Sequence, residues 1–542
     1  MVDNNFELID LTGRSLKTIP ILLHANAPKI VFLNLSRNPM LEIPLDFIQS
    51  CTTLRELRLS NMAMKKVPQS VRHSASLINL DISCNRIADL DDSGLDRIPR
   101  LGTLKAQNNR IDKLPQWFPR LRSLKFLNIS NNKFQAVPSV IPEMANLVDL
   151  DISFNSISSL PPEIGSLKSL HSLVMVGNQI SKFPPEFSGL VYLVNLDCRR
   201  NNITDLSLVS KLPRLEHLLA DHNAVRALDL VVGPRMRVLD SSHNDITQLT
   251  VLANPDHPSL FRLTSLNISH AKLSSLDDTA FAHLTTLETL HIDHNAFRFI
   301  PESLGLLTNL VTFTCSDNQL DALPMSIGNL QRLVLLDAHN NSLTELPPTM
   351  WQCRSLEIVN ATSNLLNTLH DPPSPAASID NLENGDSYTL APPMRDVPRK
   401  LSTADSFMSQ SSTMRWLPPL ARSLKRLYLG ENRLTDDTLH PLSVLRELRV
   451  LNLSFNNIQE LPVSFFRNMV LLEEIYLSGN KLSLIPTEDL HRLTSLTVIF
   501  LNGNKLQVLP SELGKLKSLT VLDVGSNVLK YNINNWEFDW NW

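Results

Sequence analysis

The chain has 542 residues, 43% of them hydrophobic and 19% charged, with a formal net charge of −4 and a pI near 6.4. That balance is ample for a core and gives no electrostatic basis for non-specific binding to nucleic acid or anionic lipid. No run of eighteen apolar residues occurs, and the start MVDNNFELID carries acid where a secretory leader is basic and then apolar. Five scattered cysteines (Cys51, Cys84, Cys198, Cys315 and Cys353) lack metal-ligand spacing and favour a reducing compartment. The expectation is a cytoplasmic chain with no direct membrane insertion and no metal site.

From residue 6 onward one pattern recurs, L-x-x-L-x-L-x-x-N-x-L, with clear copies in LINLDISCNRI, LVDLDISFNSI, LRVLNLSFNNI and LTVIFLNGNKL. Its asparagine position falls 21 times, 18 of them on asparagine, mostly 23 or 24 residues apart. This is the leucine-rich-repeat period. Two leucines flanking one outward residue fit a strand's period of two, and a single copy cannot bury its apolar side unless neighbours stack on it. The asparagine amide offers two donors and an acceptor to the backbone of a buried turn, a structural role. The second half of many copies reads LPPEIGSLKSL or LPMSIGNLQRL, where proline ends the extended part and opens the return path. The spacing predicts an α/β solenoid, a curved right-handed superhelix with a parallel β-sheet on its concave face and short helical or irregular turns outside.

Sixteen copies occupy 6–369, and five more occupy 417–530. Between Asn201 and Ala271 the spacing drifts to 22, 21 and 27, with a turn-rich ANPDHPSLF at 253–261, which predicts a local change of curvature or a protruding loop. The stretch 370–416 is rich in proline, serine and acid and reads as a disordered insert within one array. Within it, Arg399 and Lys400 precede Ser402 at a spacing suited to a basophilic kinase. The chain ends in an aromatic segment, 531–542, with Tyr531, Trp536, Phe538, Trp540 and Trp542.

The outward residue between the two strand leucines forms a column. Arg58, Asp81, Lys105, Asp151, Asp197, Asp240, His291 and Asp337 occupy it, and Arg199, Arg200, Asp221 and Asp293 lie beside it. A long mixed-charge strip of this kind suits a protein partner with a complementary surface. The position before the asparagine is His222, His243, His270 and His294 in four successive copies, a ladder whose rings could bind a transition metal or titrate as a group near neutral pH, or simply form a polar strand edge. Without a tight i, i+4 pair or a thiolate, metal is the weaker reading. Catalytic patterns are absent: no phosphate-cradling glycine loop, nucleophile elbow or H-E-x-x-H occurs. No catalytic residue and no cofactor are expected in these residues.

The terminal LTVLDVGSNVLKYNINNWEFDWNW resembles the junction of fungal adenylate cyclases, where the last repeat passes through a Y-N-I-x-N segment and a D-W-N-W motif. The resemblance implies a protein-phosphatase-like domain and then a class III cyclase domain further along the polypeptide. The terminal aromatics would pack onto the first of these. It also implies that GTP-loaded Ras docks on the repeats to control cyclic AMP synthesis, that Mg²⁺ serves the cyclase domain, and that a lipidated GTPase recruits the assembly to the membrane periphery. No Ras-contact motif carries over residue by residue. The alternative is a free-standing cytosolic repeat scaffold in Ras-type signalling with no enzymatic domain, its aromatics forming a C-terminal cap.

Overall fold

Each copy opens on a three-residue strand whose middle residue points inward. The strands Asp149–Asp151 and Ser172–Val174 pair in parallel with Leu150 opposite Leu173, and Asn195–Asp197 continues the ladder with Leu196 opposite Leu173. The computed structural model describes residues 6–39, 41–230, 234–251, 262–373 and 417–530. It divides into two compact units, Met1–Phe297 and Arg298–Trp542. In the first, parallel strands run in chain order from Leu8–Asp10 to Thr289–His291; in the second, from Thr312–Thr314 to Val521–Asp523. Among the described residues no helix is long and apolar enough to cross a membrane.

The core of each unit is a set of in-register apolar columns. Leu104, Leu127, Leu150, Leu173, Leu196 and Leu218 are each 1% exposed or less. Full burial of one such side chain contributes about 1.5–3 kcal/mol, and only stacking of neighbours delivers it. Behind the strands, Phe118, Phe134, Phe187, Phe281 and Phe297 fill the first unit and Phe465 the second, where Phe313 takes the inward strand position opposite Leu336.

The return path is built from short 3₁₀ turns. Pro162–Ser166 and Pro185–Gly189 lie in the first unit, and Glu302–Leu306, Met325–Asn329 and Pro348–Gln352 in the second. Each is preceded by a proline, Pro161, Pro184, Pro301, Pro324 or Pro347, with φ between −73° and −57°. The fixed ring thus switches the chain from extended to helical backbone. The glycine of the LPxxIG text has a packing reason: a Cβ on Gly165 would sit 2.1 Å from the Glu186 carbonyl oxygen of the next turn.

The irregular spacing between Asn201 and Ala271 has a structural counterpart. Here the return segments Ala227–Leu230 and Gln248–Val251 pair as a separate two-stranded parallel sheet. Ala227–Leu230 lies in a copy of 21 residues, where extended backbone crosses the return path in fewer residues than a helical turn, and Gln248–Val251 of the following 27-residue copy pairs with it. Leu228 and Leu249 close the core beneath it. The ANPDHPSLF segment, nearly all of the 370–416 insert with Ser402, and the whole 531–542 segment lie outside the described residues.

Candidate partner-binding face

The asparagines fix how the strand leaves the sheet. Asn85 Nδ2 donates to the Leu59 carbonyl of the preceding copy at 2.8 Å and to the Ile82 carbonyl of its own at 2.9 Å. Its Oδ1 accepts the backbone N–H groups of Met62 at 2.9 Å and Met64 at 3.1 Å. The amide therefore ties its turn to the copy before it. The cross-copy pair of one Nδ2 donation to a carbonyl of the preceding copy and one N–H accepted from it by Oδ1 recurs at Asn132, Asn201, Asn364 and Asn480.

The residue before each asparagine adopts left-handed backbone. Cys84, Asn108, Asn131, Phe154, Arg200, His222, His243, His270 and His294 all have φ between 48° and 57°. Non-glycine residues visit this region rarely. The repeat thus sets out an edge column of side chains parallel to the outward strand column. Gly177 occupies it with φ 67°, and the exposed Phe154 ring covers the space where its Cβ would be, 2.6 Å away.

The outward strand column is not a row of idle charges. Arg58 Nε bonds Glu56 Oε1 at 2.7 Å, and its guanidinium lies 4.9 Å from the Phe32 ring centroid. Asp81 accepts the Ser83 N–H at 2.9 Å, and Asp151 the Ser153 N–H at 3.0 Å. Asp197 is clamped by Arg199 through Nε at 2.8 Å and Nη2 at 2.7 Å. Asp221 Oδ2 meets His222 Nδ1 at 2.7 Å. Asp240 accepts from the Ser242 backbone and hydroxyl at 3.0 and 2.7 Å and from Asn267 Nδ2 at 3.2 Å. The Asp293 backbone N–H donates to Ser269 Oγ at 3.1 Å. Lys105 stands exposed in register with Asp81 and Asn128, and Arg200 is exposed on the edge column. His291 is half-buried, in register with Asn267. In the second unit Asp337 accepts from the His339 backbone at 3.2 Å and ring at 2.7 Å. The carboxylates first stabilise their own turns and offer the remaining lone pairs outward.

An aromatic stretch of the same column in the second unit escaped the sequence reading. Tyr428, Tyr476 and Phe500 are half-buried on the sheet face, with Tyr476 and Phe500 stacked at 5.3 Å and 15°. Phe455, 57% exposed, stands on the edge nearby. The signal was present in RLYLGEN, EIYLSGN and VIFLNGN, where the residue between the leucines or their equivalents is aromatic. Among the described residues no cluster of three or more histidine, cysteine or acidic side chains could hold a metal ion.

Stacked strands, inward leucines and asparagine-tied turns define a leucine-rich-repeat solenoid. The family model described as "Leucine rich repeat" matches residues 75–134, 261–320, 446–506 and 470–529. Solved structures agree on the fold: a TDR receptor with TM-score 0.63 and 23% identity over 93% of this chain and 82% of that one, and YopM from Yersinia enterocolitica with TM-score 0.58 and 23% identity over 96% and 90%. The chain belongs to the fungal adenylate cyclases as a leucine-rich-repeat region. It is 48% identical to adenylate cyclase of Mycosarcoma maydis over 100% of its length and 22% of that protein. It is 39% identical to that of Podospora anserina over 98% of its length and 28% of that protein. With adenylate cyclase of Schizosaccharomyces pombe it shares 30% identity over 86% of its length and 27% of that protein. It therefore spans between a fifth and a third of the length of these curated relatives.

Proposed function

We propose that this region is the regulatory protein-interaction segment of a fungal adenylate cyclase, docking a GTP-loaded Ras-type GTPase on the outward face of its sheet to control cyclic AMP synthesis. Similarity at 48% identity over the whole of this chain, to 22% of an adenylate cyclase, carries the assignment. The docking reading rests on the mixed-charge face: Lys105 and Arg200 project with no ion-pair partner among the described residues, and Asp81 and Asp151 have carboxylate oxygens to spare. Charge arranged in this way selects a partner and speeds encounter more than it adds raw affinity. Catalysis, with its Mg²⁺, belongs in this reading to a cyclase domain elsewhere in the polypeptide, next to a protein-phosphatase-like domain. The region acts in the cytoplasm, drawn to the membrane periphery by the lipidated GTPase.

The test is capture of a purified Ras-type GTPase, loaded with GTP or GDP, by the immobilised chain. The GTP form is retained, and Asp81→Lys with Asp151→Lys weakens retention at least about tenfold, a change of about 1.4 kcal/mol. Equal capture of both nucleotide forms, or capture untouched by the charge reversal, overturns the docking site and favours an unrelated scaffold role.

A further inference from the structure

The rings of His222, His243, His270 and His294 stand face to face, with centroids 4.1, 4.0 and 4.0 Å apart and planes within 15°, 12° and 16° of parallel. All four are exposed on the left-handed edge column. The spacing of the parallel strands beneath them brings the four rings into one stack along the edge of the repeats. Imidazole lone pairs lie in the ring plane, and parallel planes do not converge on one ion. The chemistry open to this stack is gain and loss of protons.

Charge enters the stack unevenly. The end rings have a carboxylate in their own turn, Asp221 beside His222 and Asp293 beside His294, whereas the inner rings follow Ser242 and Ser269. From the strands, the Asp240 carboxylate acts on His243 and opposes its depression, and His291 ends the strand of the fourth copy. On its far side lie Arg226 and the Asp245–Lys272 ion pair at 2.7 Å. Arg200 occupies the same position in the preceding copy, next to Arg199 and Asp197, and the second unit carries Asp317 at that position within its own column. His243 is held below the ordinary histidine range, by partial burial first and by the His222 ring second. A proton on one inner ring raises the cost of a proton on the next.

We propose that the His222–His243–His270–His294 stack is a proton-sensitive clasp that holds the edges of four repeats together at neutral pH and opens as the rings charge. The clasp stands whether or not a partner docks on the adjoining face. The backbone amides of three of these residues bridge to the next copy: His222 to the Ser242 carbonyl at 3.1 Å, His243 to Ser269 at 3.0 Å and His270 to Asp293 at 2.8 Å. Because the depressed His243 favours the neutral ring in the folded state, its contribution is complete above the unfolded value of about 6.5. It is lost as pH falls below that value.

The molecule contains its own control. At the same edge position Asn108 and Asn131 make the equivalent backbone bonds, to Ser130 at 3.0 Å and Ser153 at 2.8 Å, and their side chains bond each other without titrating. Asparagine is therefore a substitution this position already accepts. Amide hydrogen exchange on the intact chain at pH 7.5 and 5.5, corrected for intrinsic rates, tests the clasp. Opening at His222, His243 and His270 rises about tenfold at the lower pH while Asn108 and Asn131 hold constant. The variant His243→Asn/His270→Asn, and His243→Asn alone, lose most of that rise. Equal protection of the wild-type histidine amides at both pH values overturns the proposal. So does a rise that persists in both variants.

Discussion

Arg199 closes on Asp197 with two parallel hydrogen bonds, Nε to Oδ1 at 2.8 Å and Nη2 to Oδ2 at 2.7 Å, and the same guanidinium reaches to 3.9 Å from Asp221. The arginine is 42% exposed and the carboxylate 15% exposed, so solvent screens the pair and its stabilising contribution is about 1 kcal/mol or less. Arg199→Ala should therefore shift the urea midpoint only slightly. It also bares two carboxylates on the proposed docking face, and capture of a partner through basic groups should strengthen in low salt and lose that gain in high salt. A large loss of stability would mean that the arginine holds the fold rather than masks the surface.

Asn244 makes the contrasting case, being buried at 5% exposure. Its Nδ2 donates to the Ala220, Ser241 and Ser242 carbonyls at 3.1, 2.9 and 3.0 Å, and its Oδ1 accepts the Val225 N–H at 3.0 Å. Asn244→Ala leaves that N–H and the Ser241 carbonyl without hydrogen-bond partners among the described residues, at a cost of about 2–4 kcal/mol, while Asn223 Nδ2 still holds the Ala220 carbonyl at 3.0 Å. Because repeat arrays unfold through local neighbours, the loss should concentrate in the copies around residues 220–244. Hydrogen exchange resolved by residue checks it. A uniform loss across the chain would show a more cooperative unit than nearest-neighbour coupling predicts.

The repeat frame was legible in the sequence because its demands are strictly periodic: inward leucines and an asparagine bonding the copy before it follow from residue type alone. Other features depend on contacts between copies. Cys84, Phe154 and His243 share one left-handed backbone state with Asn108, yet only asparagine or Gly177 hints at it from residue type. The strand carboxylates looked like a free recognition strip, but Asp81, Asp151 and Asp240 each reach a backbone N–H two residues on. That short-range bond competes with any external use of the charge. The small sheet of Ala227–Leu230 and Gln248–Val251 was foreshadowed only by the irregular spacing of 22, 21 and 27 residues.

Thiol reactivity separates the edge column from the core. Cys51 and Cys353 are buried, and burial pushes their thiols up to about 12. Cys198 is also pushed upward, by burial first and then by the Asp197 and Asp221 charges. Cys84 is half-buried on the edge column, its sulfur 3.4 Å from Asn108 Nδ2. The thiolate is the reactive form, so iodoacetamide at neutral pH should alkylate Cys84 well before Cys51, Cys198 and Cys353. Mass spectrometry of timed digests reads the order directly. Early labelling of Cys198 would require its repeat to open on the same timescale.

Tyr476 offers a titration on the aromatic part of the face. Its hydroxyl donates to Glu474 Oε2 at 2.7 Å while its ring stacks on Phe500. That hydrogen bond, then burial, then the Glu474 charge and Tyr428, push its phenol up to about 12. The folded chain thus favours the neutral phenol. The resulting stabilisation is present below the unfolded value of about 10 and is lost as pH rises through that value toward 12. Glu474→Gln removes the accepting carboxylate charge and should bring the phenol back toward its ordinary range. The difference in phenolate absorbance between the wild type and Tyr476→Phe isolates this one side chain during an alkaline titration. Ionisation near the ordinary tyrosine value in the wild type, or an unchanged titration in Glu474→Gln, would show that Glu474 does not hold the hydroxyl in solution. The Tyr476–Phe500 stack would then present a hydroxyl available to a partner.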